Sequence, residues 1–328
     1  MGIIKERKKI TSSLRKAKNV FLMAHKDLDL DALGSQIGFD MLLKKKKKKS
    51  YLIIDDKEHE LGVEKVLREL DGCIEVIRGE DVDKYLYPRS SKNLLIILDT
   101  NKEDLVQNTD VLKKIKNKII IDHHSTGEKT IKDAIQIIDN KTSSTCEMIT
   151  NLLEYYDVET EPYYSTILLS GIVLDTNNYT LNTNVETYYA SYYLASMGAS
   201  AKKVQYLLKQ DIEDYTERQK LFSSIQTING NVALTKSSAN SIYRKEDLAK
   251  VADTLLFFNN IEASFVIGKV AKNTVRVSAR SLEKYDINKI LSKIGGGGDT
   301  TSGAATFEGK TIAKVEEELK KIIKEEGE

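Results

Sequence analysis

Val20-Phe21-Leu22-Met23-Ala24-His25-Lys26-Asp27-Leu28-Asp29-Leu30-Asp31 holds, in twelve residues, a short apolar run, a histidine and three aspartates. The run is too short for a helix and is bounded by charge, so it reads as a buried strand. From Asp31 onward Leu33, Ile37 and Met41 recur at helical spacing, with Gly34 and Gly38 permitting close approach to a neighbouring element. A strand, a polar loop and a helix in that order make one unit of an α/β fold.

The pattern repeats outward. Tyr51 to Ile54, Ile74 to Ile77, Leu94 to Leu98 and Lys118 to Ile121 are further strand candidates, with helical segments between most of them. Their apolar runs lack period-two alternation, which indicates a mostly parallel sheet with helices on both faces. Ser144-x-x-Glu147 reads as a capping box opening a helix toward Tyr156. Helical stretches follow at Tyr163 to Leu174, Val185 to Met197, Lys202 to Leu208 and Ile212 to Ile225, and helix packing accounts for most of their tyrosines. Beyond Asn229 strand signals return at Asn231 to Thr235 and Phe265 to Ala271, with a helix over Leu248 to Phe258. The expected organisation is an α/β domain over residues 1–200, a helical linker over 201–228 and a smaller α+β domain over 229–328.

Composition bounds the function. The 328 residues carry a net charge of +1, so no global basic field favours long nucleic acid. The two cysteines, Cys73 and Cys146, form no C-x-x-C motif and read as reduced structural thiols. No apolar run approaches the roughly 20 residues of a membrane span, and no signal-type apolar segment follows the basic N-terminus. A cytoplasmic location is therefore expected, with membrane tethering only if the chain is a fragment of a longer protein. Six lysines, Lys44 to Lys49, read as the solvated end of a helix whose dipole favours cations.

Four histidines occur, and three lie directly after apolar runs among acids: His25, and Asp122-His123-His124. Asp99 and Asp175 also end apolar runs. Ligands of open α/β sheets bind beyond the carboxyl ends of the strands, where His25, Asp99 and Asp122 to His124 fall. Several carboxylates with two or three imidazoles and no thiolate favour Mn²⁺ or Mg²⁺. His59, outside every cluster, reads as a surface residue.

In the C-terminal part, Val275-Arg276-Val277-Ser278-Ala279-Arg280 alternates, placing Arg276, Ser278 and Arg280 on one strand face and the apolar residues on the other. Two guanidinium groups and a hydroxyl suit a phosphate or a base edge. Gly295, Gly296, Gly297 and Gly298 offer backbone without side chains, which lets amides approach a ligand.

These motifs resemble, in order, those of the DHH phosphoesterases: His25-x-x-x-Asp29-x-Asp31-Ala32, Asp99-Thr100, Asp122-His123-His124, and Gly171 to Thr176. Within that family the resemblance is nearest to the catalytic module of the GdpP-type cyclic-di-AMP phosphodiesterases. It is carried by Ser143 to Glu147, Asp175 to Thr183, Ser278 to Ser281 and the glycine run. The resemblance implies two manganese ions, with Mg²⁺ or Co²⁺ as substitutes. One ion would be held by His25, Asp29 and Asp99, the other by Asp31, Asp99, His123 and Asp175, with Asp99 bridging. His124 would touch the substrate phosphate and Asp122 would orient it. Arg276, Ser278, Arg280, the four glycines and Asp299 would meet the rest of the ligand.

The implied activity is hydrolysis of cyclic-di-AMP to linear pApA by two-metal-activated hydroxide attack. Cleavage of short linear nucleotides, as by an oligoribonuclease or adenosine-bisphosphate phosphatase, is one alternative, and a non-catalytic nucleotide sensor is another. The substrate is then a small nucleotide rather than long nucleic acid, and the oligomeric state allows a homodimer. One departure is visible. The family places a histidine directly after the glycines, where this chain has Asp299.

Overall fold

The computed structural model describes residues 2–282 and 284–326. The chain divides into two compact units, Met1–Lys209 and Gln210–Glu328. The stretch 201–228 is therefore shared between them.

The first unit runs α1 (Gly2–Lys16), β1 (Asn19–Met23), α2 (Leu30–Lys45), β2 (Lys49–Ile53), α3 (Leu61–Glu69), β3 (Val76–Ile77) and β4 (Asn93–Leu98). It continues through α4 (Thr109–Lys114), β5 (Lys118–Asp122), β6 (Ile135–Ile138), α5 (Thr145–Tyr155), α6 (Pro162–Asp175), α7 (Val185–Ser196) and α8 (Ala201–Leu207). The strands form one sheet in the order β3-β2-β1-β4-β5-β6, parallel at every pairing. Alternate residues of β1 enter different cores. Val20 and Leu22 face α2, α5 and α6, whereas Phe21 and Met23 pack with Val111 and Leu112 of α4. Both faces are covered, which is why the strands read as unbroken apolar runs.

The order reverses direction between β1 and β4. At such a switch point the loops leaving two neighbouring strands diverge to opposite sides and open a crevice at their carboxyl ends. His25 follows β1 and Asp99 follows β4, so topology alone brings these two side chains to the same crevice.

Helices α2 and α6 are buried nearly all round, as expected of helices inside a core. Glycines set their spacing. A Cβ on Gly34 would lie 2.8 Å from Cys146 Sγ, and one on Gly171 would lie 2.9 Å from the Cα of Asp31. The capping box at α5 is only half formed. Ser144 Oγ accepts the Glu147 amide, but the buried Glu147 carboxylate accepts instead from Ser143 N, Ser143 Oγ and Thr187 Oγ1. A buried carboxylate needs several donors, and the N-cap amide alone would supply one. Tyr155, Tyr188, Tyr189 and Tyr192 are exposed rather than buried between helices, although Tyr155 accepts from Arg7 of α1 and Tyr189 donates to Glu154 of α5.

The lysine run is more than a solvated helix end. Lys44 donates to the carbonyl of Cys73, Lys45 to that of Asp157 and Lys48 to that of Ala17. Asp157 and Ala17 lie just beyond the ends of α5 and α1, where unpaired carbonyls and the negative end of the helix dipole favour a cation.

The second unit comprises α9 (Ile212–Gln219), β7 (Gln226–Ile228), β8 (Val232–Lys236), α10 (Lys245–Leu255), β9 (Ala263–Ala271), β10 (Thr274–Ser281), α11 (Ile287–Ser292), β11 (Gly297–Gly298), β12 (Ser302–Glu308) and α12 (Ile312–Glu326). Its sheet runs β11-β12-β10-β9-β8-β7, antiparallel except for the β8–β9 pair. The expected stretch Ile212 to Ile225 is helical only to Gln219 and then tightens to a 3₁₀ turn.

Candidate metal centre

Six acidic and imidazole side chains converge at the switch point. His25, Asp29 and Asp99 each offer one atom within 4.8 Å of the others, and so do Asp31, His123 and Asp175. A third such set joins Asp99, His123 and His124. Two ligands of one ion at about 2.1 Å each lie at most about 4.2 Å apart, so small adjustments bring either triad onto a cation.

Each ligand is aimed by its backbone or by a neighbouring helix. Asp29 is the N-cap of α2; its Oδ1 accepts the amides of Asp31 and Ala32 at 2.9 Å, which leaves Oδ2 toward His25. Asp31 is fully buried, and its two oxygens accept the Thr145 and Cys146 amides at 2.8 Å. Those amides are unpaired donors at the start of α5, where the helix dipole favours an anion. Asp175 ends α6, and there the dipole opposes a carboxylate; a cation satisfies both. Asp99 sits in the left-handed backbone region at φ 61°, a costly conformation for a non-glycine residue and one met at functional sites.

The two oxygens of Asp99 diverge. Oδ2 lies 3.3 Å from His25 Nε2 and Oδ1 lies 3.4 Å from His123 Nε2. Thr145 Oγ1 also donates to Oδ1, at 2.9 Å. His25 Nδ1–H donates to the carbonyl of Lys26 at 2.7 Å, which leaves the Nε2 lone pair for the centre. His123 Nε2 is buried and makes no hydrogen bond, although Asp175 Oδ2 is 3.1 Å away. A buried imidazole nitrogen without a hydrogen bond, aimed at carboxylates, could serve as a metal ligand.

Charge is unbalanced at this centre. Carboxylate oxygens within 4.8 Å of one another repel by at least roughly 3.5 kcal/mol at an effective dielectric of about 20. Burial, with repulsion from Asp99 and Asp175, raises Asp31 well above the ordinary carboxylate value. Burial likewise pushes Asp29 up to about 6, against the opposing pull of His25. Burial would also raise Asp99, but His123 and His25 hold it well below. Burial would lower His123, yet Asp175 and Asp99 raise it well above its usual value. A divalent cation held among these groups would offset that repulsion.

Asp122 and His124 are arranged differently. Asp122 is fully buried; Oδ1 accepts His124 N and Nδ1–H, and Oδ2 accepts Asn101 Nδ2 at 2.6 Å. Both carboxylate oxygens are engaged away from the centre, so this residue holds the His124 ring. That ring is half-exposed and lines a 270 Å³ cavity with His25, Asp99, Asp175, Lys102 and Leu105. Asn101 and Lys102 escape a reading of the sequence, and Thr145 and Cys146 stand in it only as members of the stretch Ser143 to Glu147, since their parts depend on partners brought close only by folding. His59 is half-buried rather than a surface residue, with Nδ1 unpartnered.

The C-terminal residues lie in the second unit. Val275, Val277 and Ala279 enter its core, as strand alternation requires. On the other face Ser278 is buried, Arg280 Nε donates to Asp253 of α10 at 2.6 Å, and Arg276 donates to Thr306. Arg276 Nε has no partner.

The glycine amides are largely committed to the fold rather than free for a ligand. Gly295 N donates to Ser292 O, Gly296 N to Leu291 O and Gly298 N to Asn288 Oδ1. Gly295 and Gly298 have positive φ, and a Cβ on Gly296 would lie 2.6 Å from that of Ala305. Turn geometry and contact with β12 thus require three of the four glycines. Asp299 is exposed.

Comparison with known proteins adds to this geometry. Residues 19–172 match the DHH family, N-terminal domain, and residues 229–326 match the DHHA1 domain. The chain is 33% identical over 317 residues to the cyclic-di-AMP phosphodiesterase GdpP of Geobacillus thermodenitrificans, covering 94% of this chain and 48% of that one. It is 32% identical over 310 residues to the cyclic-di-AMP phosphodiesterase PdeA of Listeria monocytogenes, covering 93% and 47%. The chain thus spans about half the length of the curated relatives it matches. Among solved structures, an exopolyphosphatase-related protein from Bacteroides fragilis shares the fold, with a TM-score of 0.77 at 20% identity over 97% of this chain and 96% of that one. No helix among the described residues is long and apolar enough to cross a membrane.

Proposed function

The chain belongs to the DHH family, with a DHHA1 domain after its DHH domain, and from that premise we propose that it is a metal-dependent phosphodiesterase opening cyclic-di-AMP to linear pApA. The observation that carries the metal reading is Asp99, whose two oxygens face His25 on one side and His123 on the other. That arrangement supports two cation positions sharing one carboxylate. His25, Asp29 and Asp99 would hold one ion, and Asp31, Asp99, His123 and Asp175 the second. The donor set is imidazole and carboxylate, which suits Mn²⁺; the buried Cys146 thiol instead donates to the backbone oxygen of Asp31. When bound, two such ions supply Lewis acidity toward a phosphoryl oxygen and lower the pKa of water.

The protein's own groups do the positioning. Asp122 fixes the His124 tautomer by accepting Nδ1–H, and Asn101 fixes Asp122. Nε2 of His124 is then turned to the cavity to donate to a phosphoryl oxygen. Burial would lower its pKa, but Asp122 raises it, which favours the cationic ring that donation from Nε2 requires. Lys102, in the cavity wall, adds positive charge. In the DHHA1 domain Arg276, Ser278, Arg280 and the segment Gly295 to Asp299 are the proposed contacts for the rest of the ligand.

Product analysis in Mn²⁺ tests this, with cyclic-di-AMP, pApA, adenosine bisphosphate and a short RNA offered separately. The expected result is pApA from the cyclic dinucleotide, and none from a variant carrying His123→Ala and His124→Ala. Undiminished turnover in that variant would sink the assignment. A second reading, cleavage of short linear nucleotides, is favoured by the exposed carboxylate of Asp299. Repulsion between Asp299 and a phosphodiester predicts that Asp299→His lowers the KM for cyclic-di-AMP; an unchanged KM would remove this residue from the ligand site.

A further inference from the structure

The opposite edge of the first unit's sheet carries the reverse charge. Lys18 precedes β1, Lys48 precedes β2, Lys92 precedes β4, Lys116 and Lys118 stand at the start of β5, and Lys132 precedes β6. A cavity of about 510 Å³ opens there between the end of α1 and the starts of β4, β5 and β6. That volume falls in the range of about 300–1,000 Å³ usual for small-molecule sites. No residue of the metal centre lines it.

Four lysines border this cavity, Lys16, Lys116, Lys118 and Lys132, against one acid, Asp133. Lys118 is 5% exposed, and among the described residues its ammonium is paired only with Asp133, at 2.5 Å. A buried ammonium has three donors to satisfy, and one carboxylate on an exposed side chain is thin compensation.

Satisfying helix ends does not account for these four. Lys45 and Lys48 do that work for the carbonyls of Asp157 and Ala17. Among the described residues the side chains of Lys16, Lys116 and Lys132 make no hydrogen bond or close ion pair, although Lys116 acts on Asp133 through its charge, and all three border the same space. The walls are fixed without them. Asn117 Nδ2 donates to the carbonyls of Ser91 and Asn93, and Lys18 N donates to Lys92 O at 2.7 Å, which ties the strand-entry loops together. Like-charged ammonium groups around a rigid, concave space repel unless an anion sits among them.

We propose that this cavity is a second binding site, for a compact phosphorylated metabolite carrying several negative charges. Its lining holds no aromatic ring to stack a base, so the recognised part is a pyrophosphate-like or sugar-phosphate group. Lys118 supplies the buried anchor, partly surrendered by Asp133 when phosphate enters, and the three exposed lysines close around it. Nothing in this inference rests on the phosphodiesterase reading.

The test is calorimetric titration of the full chain with pyrophosphate in excess EDTA, which removes any contribution from the metal centre. One pyrophosphate per chain is expected, with affinity falling at least tenfold in Lys116→Ala/Lys132→Ala and unchanged in His124→Ala. Binding lost in His124→Ala, retained in the lysine variant, or absent at millimolar pyrophosphate would overturn the proposal. Binding to vesicles rich in anionic phospholipid, without binding of soluble pyrophosphate, would also overturn it in favour of a membrane surface. Should the lysine variant fail to fold, acylation of the unaltered chain decides: pyrophosphate should shield Lys16, Lys116 and Lys132, and absence of shielding contradicts the site.

Discussion

Thr145 touches two of the carboxylates at once, giving its amide to Asp31 and its hydroxyl to Asp99. Thr145→Val keeps the shape and the amide but removes the hydroxyl. We expect Mn²⁺ affinity or turnover to fall about 10- to 100-fold, the usual cost of losing a residue that supports a ligand. Metal titration and kinetics on folded protein would check it, and unaltered values would deny Thr145 that role. The stretch Ser143 to Glu147 drew attention to Thr145 but not to its part, because its partners lie 46 and 114 residues away. His25, Asp99 and His123 were legible because each directly follows an apolar run. A second prediction concerns pH. Burial would raise Asp247, but Arg244 and Arg218 lower it from its model-compound value of 3.8. A carboxyl lowered on folding stabilises above its unfolded value and loses that contribution as pH falls through its folded one. Asp247→Asn should therefore lower the urea midpoint of the second unit at pH 7, with the difference from the parent chain shrinking below pH 3.8. A constant difference across that range would place the effect elsewhere than in the charge.

At the scale of elements, the contact between α6 and α2 is where packing and chemistry meet. Gly171 faces the Cα of Asp31 at a distance no Cβ tolerates, so Gly171→Ala must separate the helices or displace Asp31. Overpacking of this kind costs about 1–3 kcal/mol. Denaturant unfolding should register that loss together with weaker Mn²⁺ binding, whereas a loss of stability with metal affinity intact would separate the two. Five of the six strands in this sheet were legible from their apolar runs. The sixth, β6, is a partly exposed edge strand whose Ile135-Gln136-Ile137-Ile138 has no preceding periodic segment to announce it. Helix α1 was missed for a related reason: it is so rich in lysine and arginine that its buried Ile3, Ile10 and Leu14 stand out only once packed. The glycine run was read as a ligand cradle, and its fit against β12 became visible only with the strands in register.

The whole first unit is a charge-separated body, with carboxylates and imidazoles beyond the carboxyl ends of its strands and lysines before their amino ends. Parallel pairing throughout the sheet puts all its strand carboxyl ends on one side and all its amino ends on the other, which keeps the two charge groups apart. The alternation of strands and helices made the α/β class legible, but not the strand order, which follows from which runs pair in space. That order places Asp99 beside His25 and so creates the shared carboxylate. The most direct test of this account counts bound Mn²⁺ per chain by equilibrium dialysis and follows cyclic-di-AMP turnover in the same samples. Two ions in the unaltered chain, fewer in Asp99→Asn, and turnover that disappears on chelation and returns with Mn²⁺ are the predicted results. Turnover that persists in fully chelated protein, or two ions still bound by Asp99→Asn with full activity, would contradict it.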